Sequence, residues 1–344
     1  MKYTTLPNTN IKVSKICLGT MTFGEQNSES EAHSQLDFAF ERDVNFIDTA
    51  EMYPIAARKE TLGLTEKYIG NWFKKSGKRD KIVLATKIAG PNRGMGYIRE
   101  DLSFSKKNII EAVDKSLVNL QTDYIDLYQM HWPERVMNMF GQRGICDIDL
   151  KWQDSIFDVL TTFDGLIKQG KIKHIGVSNE NSWGVMRYLM ESERHNLPKI
   201  VTIQNPYSLL NRLFEVGLSE ISIRENVGLL AYSPLGFGFL SGKHLSGVNA
   251  NSRIGLFPQF TRYTNENCHK ATKLYLNLAH ENGLTLTEMA IGFVNHQQFV
   301  TSTIIGATTL DQLEENINSE LILLSETIIN EINKIQELVP NPAP

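Results

Sequence analysis

Residues 82–87 read IVLATK, residues 106–120 read KKNIIEAVDKSLVNL and residues 124–131 read YIDLYQMH. The first and third runs are short and apolar on both faces, which fits parallel strands covered by helices. The middle run carries apolar residues at spacings of three and four, the pattern of an amphipathic helix. The same strand–helix theme recurs along the chain. Six further strand-like runs are Lys15–Thr20 (KICLGT), Val44–Ala50 (VNFIDTA), His174–Asn179 (HIGVSN), Ile200–Asn205 (IVTIQN), Gly228–Pro234 (GLLAYSP) and Thr301–Ala307 (TSTIIGA). Ser30–Arg42 and Asp154–Lys168 read as helices, the second stopped by Gln169–Gly170–Lys171. Eight alternations favour an α/β fold of the closed (β/α)8 TIM-barrel type. The alternative is a doubly wound sheet with a second domain, but no composition break or Pro/Ser-rich linker divides the chain. A single barrel domain over residues 1–344 is the expectation.

The spacing is uneven. The fourth and fifth strands start at residues 124 and 174, the seventh and eighth at 228 and 301, so long loops are expected after strands 4 and 7. In a barrel the loops after the strands form the active-site face, which makes these two the candidate clamps for substrate and cofactor. Tyr3–Val13 reads as an N-terminal β-hairpin turning at Pro7–Asn10, expected to plug the opposite end.

Composition narrows the function classes. The 344 residues are 41% hydrophobic, enough for a large core. A formal charge of −4 with 22% charged residues gives no electrostatic reason to expect nucleic acid. Three widely spaced cysteines, Cys17, Cys146 and Cys268, suit a reducing cytosol better than a disulfide framework. The N-terminus lacks an apolar signal core, and no stretch reads as a membrane span, so a cytoplasmic protein with no membrane partner is expected. The eight histidines are scattered, with neither HExxH nor a Cys/His cluster, and no metal site is expected.

Three strands end on groups capable of acid–base work: Asp48, Lys87 and His131. Tyr53 follows Asp48 closely. Barrel geometry brings such strand ends to one mouth although the sequence separates them. Trp132, Met21, Met52, Phe140, Trp152, Phe237 and Phe257 all fall in or near top-face loops, as an apolar substrate pocket would require. Phe23 and Tyr207 receive no role. GFGFLSG (236–242) has the wrong spacing for a dinucleotide-binding G-x-G-x-x-G, so a Rossmann site is not expected. Thr309 and Gln312 have capping-box spacing, and Thr308 and Thr309 open a helix whose free N–H groups would attract a phosphate.

FIDTAEMY (46–53), ATK (85–87), QMHWP (129–133), GVSN (176–179), QNPYSLLNR (204–212) and YSPLGFGFLSGK (232–243) together resemble the aldo-keto reductase superfamily. IIGATTLDQLEEN (304–316) extends the likeness, which spans Lys15 to Asn316. It is strongest to the bacterial Tas-type NADP(H)-dependent branch and more distant to the beta subunits of voltage-gated potassium channels. The resemblance implies reduction of a small-molecule aldehyde or ketone by NADPH. Tyr53 would be the proton donor, Lys87 the cation lowering its pKa, Asp48 the anchor of Lys87, and His131 the group directing the carbonyl oxygen, with Trp132 touching substrate. For the cofactor it implies Gly19, Thr20, Met21 and Asp48 at the mouth. Ser178, Asn179 and Gln204 would hold the carboxamide, and Tyr232 would stack on the nicotinamide. Ser233, Pro234, Leu235, Gly236, Lys243 and Arg253 would follow the phosphates. Gly306, Thr308, Gln312, Glu315 and Asn316 would take the adenosine end. Another branch carries Lys-Ser where Gly306 and Ala307 stand and Arg where Gln312 stands, which implies a less strict preference for NADPH over NADH. The channel branch also keeps open a second reading, an NADP(H)-binding redox-sensing partner protein with slow turnover.

Overall fold

The protein is described by a computed structural model covering residues 1–91, 93–144, 148 and 150–344. Cys146 lies outside the described residues. Two short strands, β1 (Tyr3–Thr5) and β2 (Lys12–Ser14), pair antiparallel. Eight further strands close a parallel barrel: β3 (Ile16–Gly19), β4 (Phe46–Asp48), β5 (Val83–Ile88), β6 (Ile125–Met130), β7 (Ile172–Ser178), β8 (Ile200–Pro206), β9 (Gly228–Tyr232) and β10 (Val300–Ile305). β10 pairs with β3 to complete the ring. All eight expected strands are present within a few residues of their sequence bounds, and the helices Glu29–Glu41, Lys106–Leu120 and Ile156–Lys168 fill the expected segments.

Alternation along each strand divides the apolar residues into two cores. Cys17, Phe46, Ala85, Leu127, Leu230 and Ile304 point inward and pack together inside the barrel. Their neighbours Leu18, Ile47, Leu84, Tyr128, Leu229 and Ile305 point outward under the helices. Successive side chains on a strand face opposite sides, so this partition follows from the period of two. The hairpin plugs one end as expected: Leu6 and Val13 are fully buried against the inner core, beside Val83 and Val201 at the strand starts.

The expected long connections are present, with one correction. Residues 131–155 separate β6 from its helix. After β9, however, only residues 233–265 are irregular or short-helical, because the helices Glu266–Glu281 and Leu286–His296 occupy the remainder of the gap. A third long connection, residues 89–105, was not singled out by strand spacing. Tyr207 and Phe23 are core residues, fully buried; Tyr207 stacks on Phe293 and donates its hydroxyl to Glu215 at 2.6 Å. Cys17 and Cys268 are buried free thiols. Among the described residues no helix is long and apolar enough to cross a membrane.

Candidate active site

Two residues beyond the inward apolar layer, four of the strands place a polar side chain inward. Phe46 leads to Asp48, Ala85 to Lys87, Leu127 to Gln129 and Leu230 to Tyr232. The barrel therefore changes from apolar to polar within one pleat. Lys87 is fully buried, and its Nζ donates to Asp48 Oδ2 at 2.5 Å and to the Thr49 carbonyl at 2.8 Å. The other oxygen, Asp48 Oδ1, accepts from Gln204 Nε2 at 2.8 Å and from Gln129 Nε2 at 3.2 Å. Both carboxylate oxygens are thus occupied, the condition under which a buried ion pair persists. Gly176 of β7 makes the layer possible, since a Cβ there would stand 2.2 Å from Thr202 Oγ1 and 3.4 Å from Gln129.

Tyr53 and His131 stand over this pair. Lys87 Nζ is 5.1 Å from the centre of the Tyr53 ring, and the Tyr53 and His131 rings meet edge to face at 5.7 Å. Asp48, Tyr53, Lys87 and His131 are therefore brought together. Lys87 pulls the Tyr53 phenol down as expected, but the net result is a pKa above the ordinary value, not below it. Burial, the largest influence, and Asp48 together push it up by more than Lys87 and Arg253 pull it down. Burial pulls the Lys87 ammonium down as well, but Asp48 and Tyr53 outweigh that, and Lys87 stays charged. His131 is driven well below the usual imidazole value by burial, Lys87 and Arg93, so at neutral pH its ring is uncharged. Its buried Nδ1 has no hydrogen-bond partner.

The residues expected beside the nicotinamide form one network. Ser178 Oγ donates to the Gln204 carbonyl at 2.8 Å. Asn179 Nδ2 donates to the His131 carbonyl at 2.8 Å, and Tyr232 donates to Asn179 Oδ1 at 2.7 Å. Asn179 and Ser233 both take positive φ, 55° in each, which turns the chain over the strand ends. Thr20 donates its hydroxyl to the Asp48 carbonyl at 2.9 Å; Met21 is half-buried beside it, and Gly19 leaves room for Ile304. Pro234 and Leu235 lead into two 3₁₀ turns over Gly236–Ser241, interrupted by left-handed Phe237 and Gly238. Lys243 folds against Gly238, its Cε 2.6 Å from where a Cβ would lie. Arg253 is half-buried, its guanidinium carbon 5.0 Å from the centre of the Phe237 ring, with burial pushing the group down to about 10. Lys243 and Arg253 form no ion pair with a described carboxylate.

At the far end Asn316 Nδ2 donates to the Gly306 carbonyl at 3.2 Å, and Thr309 caps the helix Leu310–Asn318. The capping box is corrected: the Gln312 side chain bypasses Thr309 and accepts from the Thr308 amide at 3.0 Å, so that amide is not free. Glu315 is turned out of this group and accepts from Thr285 at 3.1 Å. A cavity of about 350 Å³ lies between Glu25, Asn251, Phe257 and Thr308, where the loops after β3 and β9 approach each other.

Of the loop residues considered for an apolar pocket, Trp132, Met21, Met52 and Phe140 gather with Tyr53, Ile98 and Leu102. Phe257 lines the 350 Å³ cavity instead, Phe237 packs on Phe260 and Tyr263, and Trp152 pairs with Trp183. Trp132 is buried and donates to the Pro91 carbonyl at 2.8 Å. Sequence reading missed the clamp beneath this cluster. Buried Glu51 accepts from both Arg99 Nη1 (2.7 Å) and Nη2 (2.6 Å) and from the Ala89 amide (2.7 Å), tying residues 89–105 to the segment that carries Tyr53. It missed Gln129 too, although the inward alternation of β6 identifies it.

The family described as Aldo/keto reductase family matches residues 15–337. The protein tas of Escherichia coli (strain K12) is 51% identical over 346 residues, covering 100% of both chains. The uncharacterized oxidoreductase YrpG of Bacillus subtilis is 33% identical over 340 residues, 97% of this chain and 96% of its own. Norsolorinic acid reductase B of Dothistroma septosporum is 27% identical over 345 residues, 95% of this chain and 79% of its own. The chain belongs to the aldo/keto reductase family, oxidoreductases that act on carbonyl compounds with NADP(H).

Proposed function

We propose that this protein reduces aldehydes and ketones to alcohols with NADPH, Tyr53 donating the proton. The observation that carries this reading is the buried Asp48–Lys87 pair beneath Tyr53, with uncharged His131 across from it. Hydride addition to a carbonyl carbon places negative charge on its oxygen, and a proton donor must meet it there. Tyr53, protonated at neutral pH, is that donor, and Lys87 stabilises the phenolate left behind. An uncharged imidazole at His131 donates a hydrogen bond to the same oxygen without competing for its proton. The phenolate regains its proton from solvent, so the site is restored.

A bound nicotinamide cofactor supplies the hydride. The donor set suits such a cofactor. Lys243 and Arg253 are cations without a carboxylate partner among the described residues, and Gly236 and Gly238, at φ 52° and 91°, let backbone approach phosphate. Ser178, Asn179 and Gln204 would hold the carboxamide and Tyr232 the ring face. Gly306, Thr308, Gln312 and Asn316 would take the adenosine end, with Glu315 joining by releasing Thr285. NADPH would be preferred over NADH; comparable kcat/KM with both contradicts that preference. The buried free thiols Cys17 and Cys268 support a cytoplasmic setting.

Steady-state oxidation of NADPH with a panel of aldehydes, ketones and quinones tests the function. Turnover that depends on the carbonyl compound is expected. Tight NADPH binding with no turnover across the panel would favour a redox-sensing role instead.

A further inference from the structure

The charged groups around the barrel mouth are mostly paired. Lys87 has Asp48, Arg99 has Glu51, Arg135 has Glu180 and Arg58 has Glu25. Lys243 and Arg253 are accounted for by the cofactor phosphates. Of the arginines that remain, Arg143 donates to the Pro342 carbonyl at 2.9 Å, and among the described residues neither Arg93 nor Arg262 forms an ion pair. They come from connections far apart in sequence, after β5 and after β9, yet both lie over one ring. The guanidinium carbon of Arg93 is 4.3 Å from the centre of Phe140, and that of Arg262 is 5.6 Å.

Their position is the substrate side of the mouth. Arg93 is also 5.9 Å from Trp132, whose ring is 5.1 Å from His131. Arg262 lies beside the Tyr232 phenol and lines a groove of about 560 Å³ that runs from Asn179 past Phe140 to Pro206. Among the described residues that line the groove, the one acidic side chain, Glu180, is already held by Arg135. Pro344 borders Gly141 in the same groove but forms no ion pair with Arg262. Burial and the neighbouring Arg262 both pull the Arg93 guanidinium below its usual value, so the pair is a like-charge arrangement without a counter-ion among the described residues.

We infer that Arg262 and Arg93 hold an anionic group on the substrate, so that the preferred carbonyl compound carries a carboxylate. This deepens the carbonyl-reductase reading and rests on it. Guanidinium groups match a carboxylate in shape and donor number, and both lie against the same Phe140 ring. A carboxylate seated there leaves the rest of a short substrate pointing past Trp132 to His131 and Tyr53.

The test compares 4-carboxybenzaldehyde with 4-nitrobenzaldehyde, rings of similar size that differ in charge. Wild-type kcat/KM is expected to favour the carboxylate, and the ratio to fall by about 10- to 100-fold in Arg262→Met, as loss of a charge-assisted hydrogen bond predicts. Arg93→Met is expected to lower it less, because Arg93 is the more exposed. Reading the ratio cancels any general loss of activity. A ratio near one in the wild type, or one unchanged in Arg262→Met, overturns the inference. Calorimetric binding of benzoate to the NADP⁺-loaded protein needs no turnover and separates the two readings. Benzoate bound in the wild type and lost in Arg262→Met supports the anion site even if neither aldehyde is reduced, an outcome that would overturn the reductase reading alone. No benzoate binding beside active turnover of 4-nitrobenzaldehyde overturns the anion site alone.

Discussion

The two ends of the barrel are built from the same strands and are equally dry, yet they are chemically opposite. At the lower end Leu6 and Val13 of the hairpin close over Val83 and Val201. At the upper end, on the same inward pleat, stand Asp48, Lys87, Gln129 and Gln204. Apolar closure stabilises the fold by removing surface from water. The upper layer does the reverse, because desolvating a charge costs several kcal/mol before its partner offsets it, by roughly the amounts seen for buried pairs generally. A well-packed apolar layer would serve stability at least as well. The polar layer is best understood as serving chemistry, and the difference between the ends can be tested by substitution.

The largest effect is expected at the upper end. Lys87→Met leaves Asp48 buried without its cation, which should lower stability by about 3–5 kcal/mol and reduce turnover by on the order of 10²-fold or more. Combining it with Asp48→Leu should restore much of the stability and none of the activity, as read from denaturant midpoints and NADPH oxidation. A double variant no more stable than the single one would break the contrast. At the lower end Leu6→Ala opens a cavity and should cost about 2–5 kcal/mol, with kcat/KM unaltered in the folded fraction. A large change in kcat/KM there would mean that the hairpin shapes the mouth as well as sealing the base.

The smallest effect is a pH dependence carried by His131. Folding holds its pKa well below 6.5, so the unfolded chain takes up a proton first as the pH falls. The stability lost in this way is absent above pH 6.5 and accumulates as the pH drops toward the folded value. His131→Gln should flatten that part of the stability profile. An equally steep loss below pH 6.5 in His131→Gln would assign it to other groups.

Much of the fold is legible in the chain because parallel strands covered on both faces leave continuous apolar runs, as in IVLATK and YIDLYQMH. Asp48, Lys87 and His131 are legible as strand ends, and the family motifs tie Tyr53 to them. What sequence does not carry is the tertiary balance. Lys87 suggested a lowered Tyr53 pKa, but the burial that outweighs it exists only once the barrel is closed. The Glu51–Arg99 clamp was invisible because two ordinary charged residues 48 positions apart carry no local signal of pairing. Gln312 had the spacing of a capping box, and only the turn of the chain at Thr308 shows that its side chain serves a different amide.

The central claim is that the upper polar layer delivers a proton through Tyr53. Single-turnover oxidation of NADPH by Tyr53→Phe, with cofactor affinity measured separately by fluorescence titration, addresses it most directly. We predict a loss in the rate of carbonyl reduction of about 10²- to 10⁴-fold with NADPH affinity retained, the range for removal of a general acid. A Tyr53→Phe protein that reduces aldehydes at the wild-type rate would contradict the account.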